Sequence, residues 1–355
     1  MKIVDINFEK ATFKFNRPMK VSFKEFKGFD TLILKMETDE GITGYGEAAT
    51  LPFVTGDNIE TALSIGKEFR DKLIGENPIL IGNIHNIMDS MYAYNTSIKA
   101  GIDIACYDIA AKKMNTPLYK YLGGVNKVIH SDTTLGMDDP DTMAEKAVEW
   151  VQKGWRKLKV KLGEDISLDL KRMKSIRKAV GNGITLRIDA NQGWSVKDSI
   201  RIINELEVLD IELIEQPIIY WDYDGLYEIK SSVNIPIVAD ESCHSPIDAA
   251  KLVKAKAVNG INIKLMKCGG IYKALKINSI AEANNIFCML GCMGESKIAN
   301  SAAMHFGIAN NNVKMYDLDT TFFTKSTFIK GGFTNKGSAC YITENAGLGI
   351  TIDGM

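Results

Sequence analysis

Long apolar runs are missing from this sequence. No stretch of its 355 residues approaches the roughly 18 uncharged apolar residues of a membrane span, so a soluble protein is expected, with no membrane partner. An excess of charge is missing too. Lys plus Arg total 43 against 44 Asp plus Glu, a net charge of -1 that supplies no field to gather a polyanion and argues against nucleic-acid partners. Proline is scarce at 8 residues. The 6 cysteines, Cys106, Cys243, Cys268, Cys288, Cys292 and Cys340, are scattered through a chain too long to need covalent staples. They are expected to be reduced thiols, and the protein cytoplasmic. Met1 to Phe15 lacks the unbroken apolar centre of a secretory leader, and its alternation of apolar and polar residues predicts a first strand instead.

What is present has the balance of a globular protein, 45% hydrophobic and 25% charged. The first part reads as α+β. Strands are predicted at 3–8, 31–37 and 42–48, the last two joined by the turn Thr38-Asp39-Glu40-Gly41, which suggests an antiparallel meander. Helical patterns follow, with Ile98, Ile102, Ala105, Cys106 and Ile109 on one face. Asn115-Thr116-Pro117 ends that helix and Gly123-Gly124 marks a boundary.

From residue 127 strands and helices alternate. Strands are predicted at 128–134, 157–162, 185–189, 212–215, 236–240, 260–265, 286–290 and 314–318, with amphipathic helices between them, such as 167–179 and 195–208. Eight parallel strands with intervening helices close into a TIM-type barrel, its last helix supplied by the final residues or degenerate. An open doubly wound sheet would need a Gly-rich phosphate turn after its first strand, and Thr133-Thr134-Leu135-Gly136 is not one.

The strand ends carry the chemistry. Lys159, Asp189, Glu215, Asp240 and Lys264 follow one another at steps of 30, 26, 25 and 24 residues, and Asp317 sits at the eighth strand. A step of that size is one βα unit, so these groups converge on the mouth of a barrel. Asp189, Glu215 and Asp240 supply the oxygen ligands that a hard divalent cation prefers; without one, gathered carboxylates raise each other's pKa. One Mg²⁺ per subunit is expected, with Mn²⁺ as the alternative.

Lys159 and Lys161 share a strand face, and Lys264 ends an apolar strand across the barrel. Two ammonium groups about 4 Å apart at an effective dielectric near 20 repel by roughly 4 kcal/mol, or about three pKa units. A lysine beside another can therefore serve as a base near neutrality. With Lys161 on one side of the substrate plane and Lys264 on the other, a proton removed from one face of a carbon acid can be returned to the other.

Further motifs extend the pattern: Gly44-Tyr45-Gly46-Glu47-Ala48, Tyr119-Lys120-Tyr121-Leu122-Gly123-Gly124, Asp189-Ala190-Asn191, Glu215-Gln216-Pro217 and Asp240-Glu241-Ser242. Together with the lysines they resemble the enolase superfamily, in its muconate-lactonising subgroup, over nearly the whole chain. The resemblance implies a modified (β/α)7β TIM barrel at 126–320 beneath an α+β capping domain at 1–125, to which 321–355 returns. It also implies metal ligation by Asp189, Glu215 and Asp240, proton exchange by Lys161 and Lys264, and polarisation of the substrate carboxylate by Lys159.

Asp317-Leu318-Asp319 narrows the reading. Two carboxylates at alternate positions share a face and suit a substrate ammonium, as in dipeptide epimerases, which the chain resembles here. That resemblance implies 1,1-proton transfer at the α carbon of the C-terminal residue of a dipeptide, with L-Ala-L/D-Glu as the expected substrate, a dipeptide of cell-wall peptide turnover. It further implies substrate contacts from Thr134, from the Cys292-Met293-Gly294 loop, and from Lys24, with Lys20 and Lys27 as neighbours. Lysine lacks the bidentate fork of arginine, which weakens strict selection for Glu. Cys292 has no histidine placed beside it to make it a nucleophile. An N-succinyl amino acid racemase or an o-succinylbenzoate synthase shares the metal and the lysines, and a non-catalytic binding protein is a further alternative. A homo-oligomer is allowed, its order left open.

Overall fold

The structure is a computed structural model that describes residues 1–21, 24–324 and 328–354. Strands β1 (Ile3–Val21), β2 (Lys24–Thr38) and β3 (Thr43–Ala49) pair antiparallel in that order. The meander expected from the alternation is present, but β1 runs far beyond 3–8. Its ladder with β2 reaches Val21, with a register shift between Lys14 and Met19. Phe13 and Phe29 stack across this arm with centroids 5.1 Å apart, burying apolar surface that a shorter hairpin would expose.

Helices α1 (Pro52–Thr55), α2 (Ile59–Leu73), α3 (Ile81–Met91), α4 (Thr96–Lys113) and α5 (Leu118–Tyr121) follow. The expected single apolar face of α4 is only part of the story: every residue from Ser97 to Ala111 is buried. Strand β3 presses on α4 so closely that a Cβ on Gly46 would lie 1.9 Å from the Gly101 carbonyl oxygen, and one on Gly44 2.3 Å from that of Ala105. The glycines of the Gly44-Tyr45-Gly46 motif are therefore packing requirements.

Strand β4 (Ile129–His130) precedes β5 (Thr133–Leu135), which opens the parallel sheet. The alternation continues through α6 (Pro140–Gln152), β6 (Lys157–Lys161), α7 (Ile166–Val180), β7 (Thr185–Asp189), α8 (Val196–Leu206) and β8 (Ile211–Glu215). It goes on with α9 (Tyr223–Ser232), β9 (Ile237–Ala239), α10 (Pro246–Ala255) and β10 (Gly260–Ile263). After these come α11 (Leu265–Cys268), α12 (Ile271–Glu282), β11 (Phe287–Gly291), α13 (Lys297–Ala309) and β12 (Val313–Asp317). Strands β5 to β12 neighbour each other in sequence order. A parallel bridge between Ser131 and Tyr316 draws the first and last strands together into a nearly closed barrel. The last strand is followed by the four-residue α14 (Thr320–Phe323) instead of a full helix, the degenerate end anticipated from the sequence.

The remaining strands, β13 (Ile329–Gly331), β14 (Phe333–Lys336), β15 (Ala339–Ile342) and β16 (Ile350–Ile352), form small sheets. They correct one expectation. The stretch 128–134 is not a single strand: β4 pairs antiparallel with β15, and β5 alone enters the barrel. The backbone divides between two sheets here, with Ser131 N–H donating to Ser338 O and Asp132 N–H to Tyr316 O, both at 3.0 Å.

Candidate active site

Side chains alternate along each barrel strand, so one face of every strand points inward. Inside the barrel Leu213, Val238 and Met289 are buried in contact with one another. Charge gathers toward the C-terminal ends. Asp189 and Glu215, the last residues of β7 and β8, are register partners, Lys161 is the partner of Asp189 on the other side, and Asp240 directly follows β9. Carboxylate oxygens of Asp189, Glu215 and Asp240 lie within 4.8 Å of one another, and all three residues are buried. None of these acids caps the next helix. That work falls to the side chains of Ser195, Asp222 and Ser245, which accept from the first turns of α8, α9 and α10.

Burial penalises all three charges, and their neighbours decide the outcome. Against the burial cost, Lys159 and Lys161 hold Asp189 well below the usual carboxylate range, and Lys264 and Lys267 do the same for Asp240. Glu215 is instead pushed up to about 8, by burial first and then by the negative charge of Asp189. Among the described residues its Oε2 has no hydrogen-bond partner, although the Lys159 ammonium is 2.8 Å away. A buried oxygen-only triad whose third member is short of positive charge fits a hard divalent cation.

The lysines stand around this triad. Lys161 Nζ donates to Asp189 Oδ2 at 2.6 Å and to Asn191 Oδ1 at 3.0 Å. Lys264, just past β10, donates to Asp240 Oδ2 at 2.8 Å. Lys159 is 1% exposed, and its Nζ lies 3.0 Å from Asp189, 2.8 Å from Glu215 and 2.6 Å from Asp317. Burial works against the Lys159 ammonium, but Asp189, Asp317 and Glu215 raise its pKa well above the ordinary value. Lys264 is raised as well, Asp240 outweighing burial. The downward shift expected from paired ammonium groups is therefore absent at Lys159, because three carboxylates surround it.

A second acidic group lies alongside. Asp317 ends β12, Asp319 follows two residues later, and Asp319 Oδ2 accepts the Thr134 N–H at 2.7 Å. Thr134 thus orients an acid of the pair. Burial, followed by the charge of Asp317, pushes Asp319 up to about 7. In the loop after β11, Cys292 Sγ is 3.6 Å from Thr320 Oγ1, and the Met293 N–H donates to Glu295 at 2.9 Å. Burial raises the Cys292 thiol well above its usual pKa, so it stays protonated and poorly nucleophilic. Gly294 lies against the N-terminal sheet, where a Cβ would be 2.5 Å from Phe29 Cβ.

Lys24 opens β2 and is exposed, with its ammonium 5.4 Å from the Phe26 ring centroid and 5.5 Å from that of Phe53. Ser22 and Phe23 beside it lie outside the described residues. Lys20 pairs with Glu164 at 3.1 Å, and Lys27 is exposed. Two cavities approach the mouth. One, of about 1010 Å³, reaches Thr134 past Lys20, Trp150 and Phe322, and the other, of about 1180 Å³, reaches Glu241 past Phe53, Tyr220 and Tyr223.

Several residues of the site were not singled out from the sequence. Lys267 is fully buried and donates to both a carboxylate and the backbone oxygen of Asp240, and Asn262 donates to Glu215 at 2.8 Å. Arg187 is buried within the barrel between Asp132, at 2.6 Å, and Glu212. Its strand position, two residues before Asp189 on the same face, was the available signal. Glu47, inside the Gly46-Glu47-Ala48 motif, accepts the Ser296 and Ala299 N–H groups at 2.7 and 3.0 Å, tying β3 to the start of α13.

Comparison with known proteins agrees with this geometry. Residues 4–123 match the model described as mandelate racemase / muconate lactonizing enzyme, N-terminal domain, and residues 142–355 the one described as enolase C-terminal domain-like. The chain is 43% identical to a hydrophobic dipeptide epimerase of Enterococcus faecalis, covering 99% of this chain and 100% of that one. The crystal structure of that protein with Mg and the dipeptide L-Leu-L-Tyr superposes with a TM-score of 0.97. An L-Ala-D/L-Glu epimerase of Clostridium acetobutylicum is 39% identical, with 99% of both chains covered. An N-succinyl-L-Arg/Lys racemase of Bacillus cereus is 37% identical, with 99% of this chain and 96% of that one covered.

Proposed function

The chain belongs to the enolase superfamily, in its mandelate racemase and muconate lactonizing enzyme group, and from that premise we propose that it is a Mg²⁺-dependent dipeptide epimerase. It is an isomerase that inverts the α carbon of the C-terminal residue. The observation that carries this reading is the junction at Lys159, whose ammonium touches both the Asp189/Glu215 group and Asp317 of the Asp-x-Asp pair. A substrate with a carboxylate at one end and an ammonium at the other matches those two neighbouring sites. N-succinylation blocks the α-amine, so an acid pair placed to receive an N-terminal ammonium favours the dipeptide over that alternative.

Asp189, Glu215 and Asp240 would hold the cation. When bound, it draws electron density from the substrate carboxylate and makes the adjacent α proton more acidic. Asp317 and Asp319 receive the terminal ammonium, while Lys159 helps bind and polarise the carboxylate. Lys161, on the second barrel strand, and Lys264, on the sixth, face the α carbon from opposite sides. One removes its proton and the other returns a proton to the opposite face. Asp189 and Asp240, which would hold the cation, are also the acids that pair with Lys161 and Lys264, so their ligation would leave both lysines freer to act as bases.

The preferred substrate is L-Ala-L/D-Glu, with Lys24 facing the acidic side chain and the Cys292-Met293-Gly294 loop completing the pocket. Residues 1–125 and 321–355 form the cap and 126–320 the catalytic barrel. Bonds between the two ends of the chain support this division: Leu118 N–H donates to Gly347 O, and Leu348 N–H to Asp108, both at 2.8 Å. Six free cysteines agree with action in the cytoplasm, on peptides released by cell-wall turnover. The test is a panel of dipeptides varied at both positions, assayed with Mg²⁺ and with chelator. The highest kcat/KM is expected for L-Ala-L-Glu, with activity lost in chelator and restored by Mg²⁺. A higher kcat/KM for two apolar residues would overturn the Glu preference, and activity on no dipeptide would overturn the reading.

A further inference from the structure

The Asp-x-Asp group contains a third acid to which the reaction gives no role. Asp132 lies between β4 and β5, is fully buried, and accepts Arg187 Nη1–H on Oδ2 at 2.6 Å. Among the described residues its Oδ1 has no partner, and neither has Oδ1 of Asp317, which is also buried. Carboxyl oxygens of Asp132, Asp317 and Asp319 lie within 4.8 Å of one another. The groups facing Asp132 can be named strand by strand: Lys159 on β6, Arg187 on β7, Glu212 on β8 through Arg187, and Asp317 and Asp319 at the end of β12.

The hydrogen-bond inventory does not close if all three acids are ionised. Asp317 Oδ2 receives Lys159 at 2.6 Å and Asp319 Oδ2 receives the Thr134 N–H at 2.7 Å, which leaves Asp132 Oδ1 and Asp317 Oδ1 as buried acceptors without a donor. Positive charge is short as well, since Lys159 is shared with Asp189 and Glu215, and Arg187 with Glu212. A buried acceptor left unmatched costs about 1–3 kcal/mol, more when charged. One proton between the two facing carboxyls removes both deficits. Burial, and then the charge of Asp317, pushes Asp132 well above the carboxylate range, whereas Lys159 outweighs burial to hold Asp317 below it.

We propose that Asp132 is a positioning residue that carries a proton in the resting enzyme, donating from its carboxyl to Asp317 while accepting from Arg187. The amine site then presents two acids aimed by fixed partners, Asp317 by Asp132 and Lys159, and Asp319 by Thr134. Three ionised carboxylates would present a different site, suited to a second divalent cation. The proposal rests on the dipeptide reading, and its test has one arm that needs no substrate.

That arm is infrared difference spectroscopy at neutral pH between the wild-type protein and Asp132→Asn, which should reveal one protonated carboxyl band lost in the variant. The kinetic arm compares three variants. Asp132→Leu, which removes the donor, should raise the dipeptide KM about tenfold with kcat changed far less, the worth of one hydrogen bond. Asp132→Asn offers an N–H to Asp317 and an oxygen to Arg187, so it should recover most of that loss. Asp317→Asn should raise KM more than Asp132→Leu does. If Asp132→Leu does not fold, the infrared comparison and Asp132→Asn still decide. Absence of the band, a KM for Asp132→Asn as high as for Asp317→Asn, or two divalent ions per wild-type chain would overturn the proposal. Lack of activity on every dipeptide would instead sink the functional reading while the band still reports on Asp132.

Discussion

Lys159 and Asp317, 158 residues apart in sequence, meet at 2.6 Å inside the barrel. The contact joins the second strand to the eighth and makes one ammonium the shared counter-charge of two acidic groups. Replacing Lys159 with Met leaves Asp317, Asp189 and Glu215 without it. Breaking a buried ion pair costs about 3–5 kcal/mol, so the metal-free variant should melt at a clearly lower temperature. Activity should fall by about two to three orders of magnitude, as for loss of a group that stabilises charge in the transition state. Calorimetry and steady-state kinetics check both, and a variant with normal activity contradicts the assignment.

Lys161→Ala and Lys264→Ala should each abolish epimerisation. In the proposed scheme each lysine serves one face of the α carbon, so a variant is expected still to exchange the proton of one stereoisomer with solvent. Proton NMR in D₂O, run separately on the two epimers, reads this directly. Normal epimerisation by either variant contradicts the two-base scheme.

Stability of the chelator-treated protein should fall as pH rises from about 6.5 to about 8. Glu295 is pushed up to about 8 and Asp319 to about 7, burial being the first cause for each. Unfolded carboxyls release their protons near pH 4, so across this window the folded state holds protons that the unfolded state has lost. His244 and His305, pushed down by burial to about 4 and about 3, act in the opposite sense. Their effect ends near pH 6.5, where an unfolded histidine has lost its proton. Melting temperatures measured at closely spaced pH values test the sign, and a rise across the window contradicts it.

Gly46→Ala should destabilise the fold by about 1–3 kcal/mol or more, because the new methyl meets backbone that has little room to move. The predicted clash is 1.9 Å from the Gly101 carbonyl oxygen. Thermal denaturation should show a drop of several degrees, and an unchanged melting temperature would mean that β3 and α4 separate freely.

The barrel and its acidic triad were legible because a parallel βα unit repeats at nearly constant length. Charged residues ending apolar strands, such as Asp189 in Leu186-Arg187-Ile188-Asp189, stand out at that period. Arg187 and Lys267 were hidden for the same reason in reverse: a cation within a strand or short helix reads as a surface group until its partners are known. Asp132 escaped notice because 128–134 reads as one strand, whereas tertiary pairing splits it between two sheets. The complete burial of α4 was equally out of reach, since its exposed-looking face is covered by elements distant in sequence, among them α11 and α12.

Epimerisation by the proposed route requires proton exchange at the α carbon of a dipeptide. Incubating the wild-type protein with Mg²⁺ and L-Ala-L-Glu in D₂O measures it most directly. Deuterium is expected at the α carbon of the C-terminal residue in both epimers, with none at the N-terminal residue. No α-deuterium in this or any other dipeptide would contradict it.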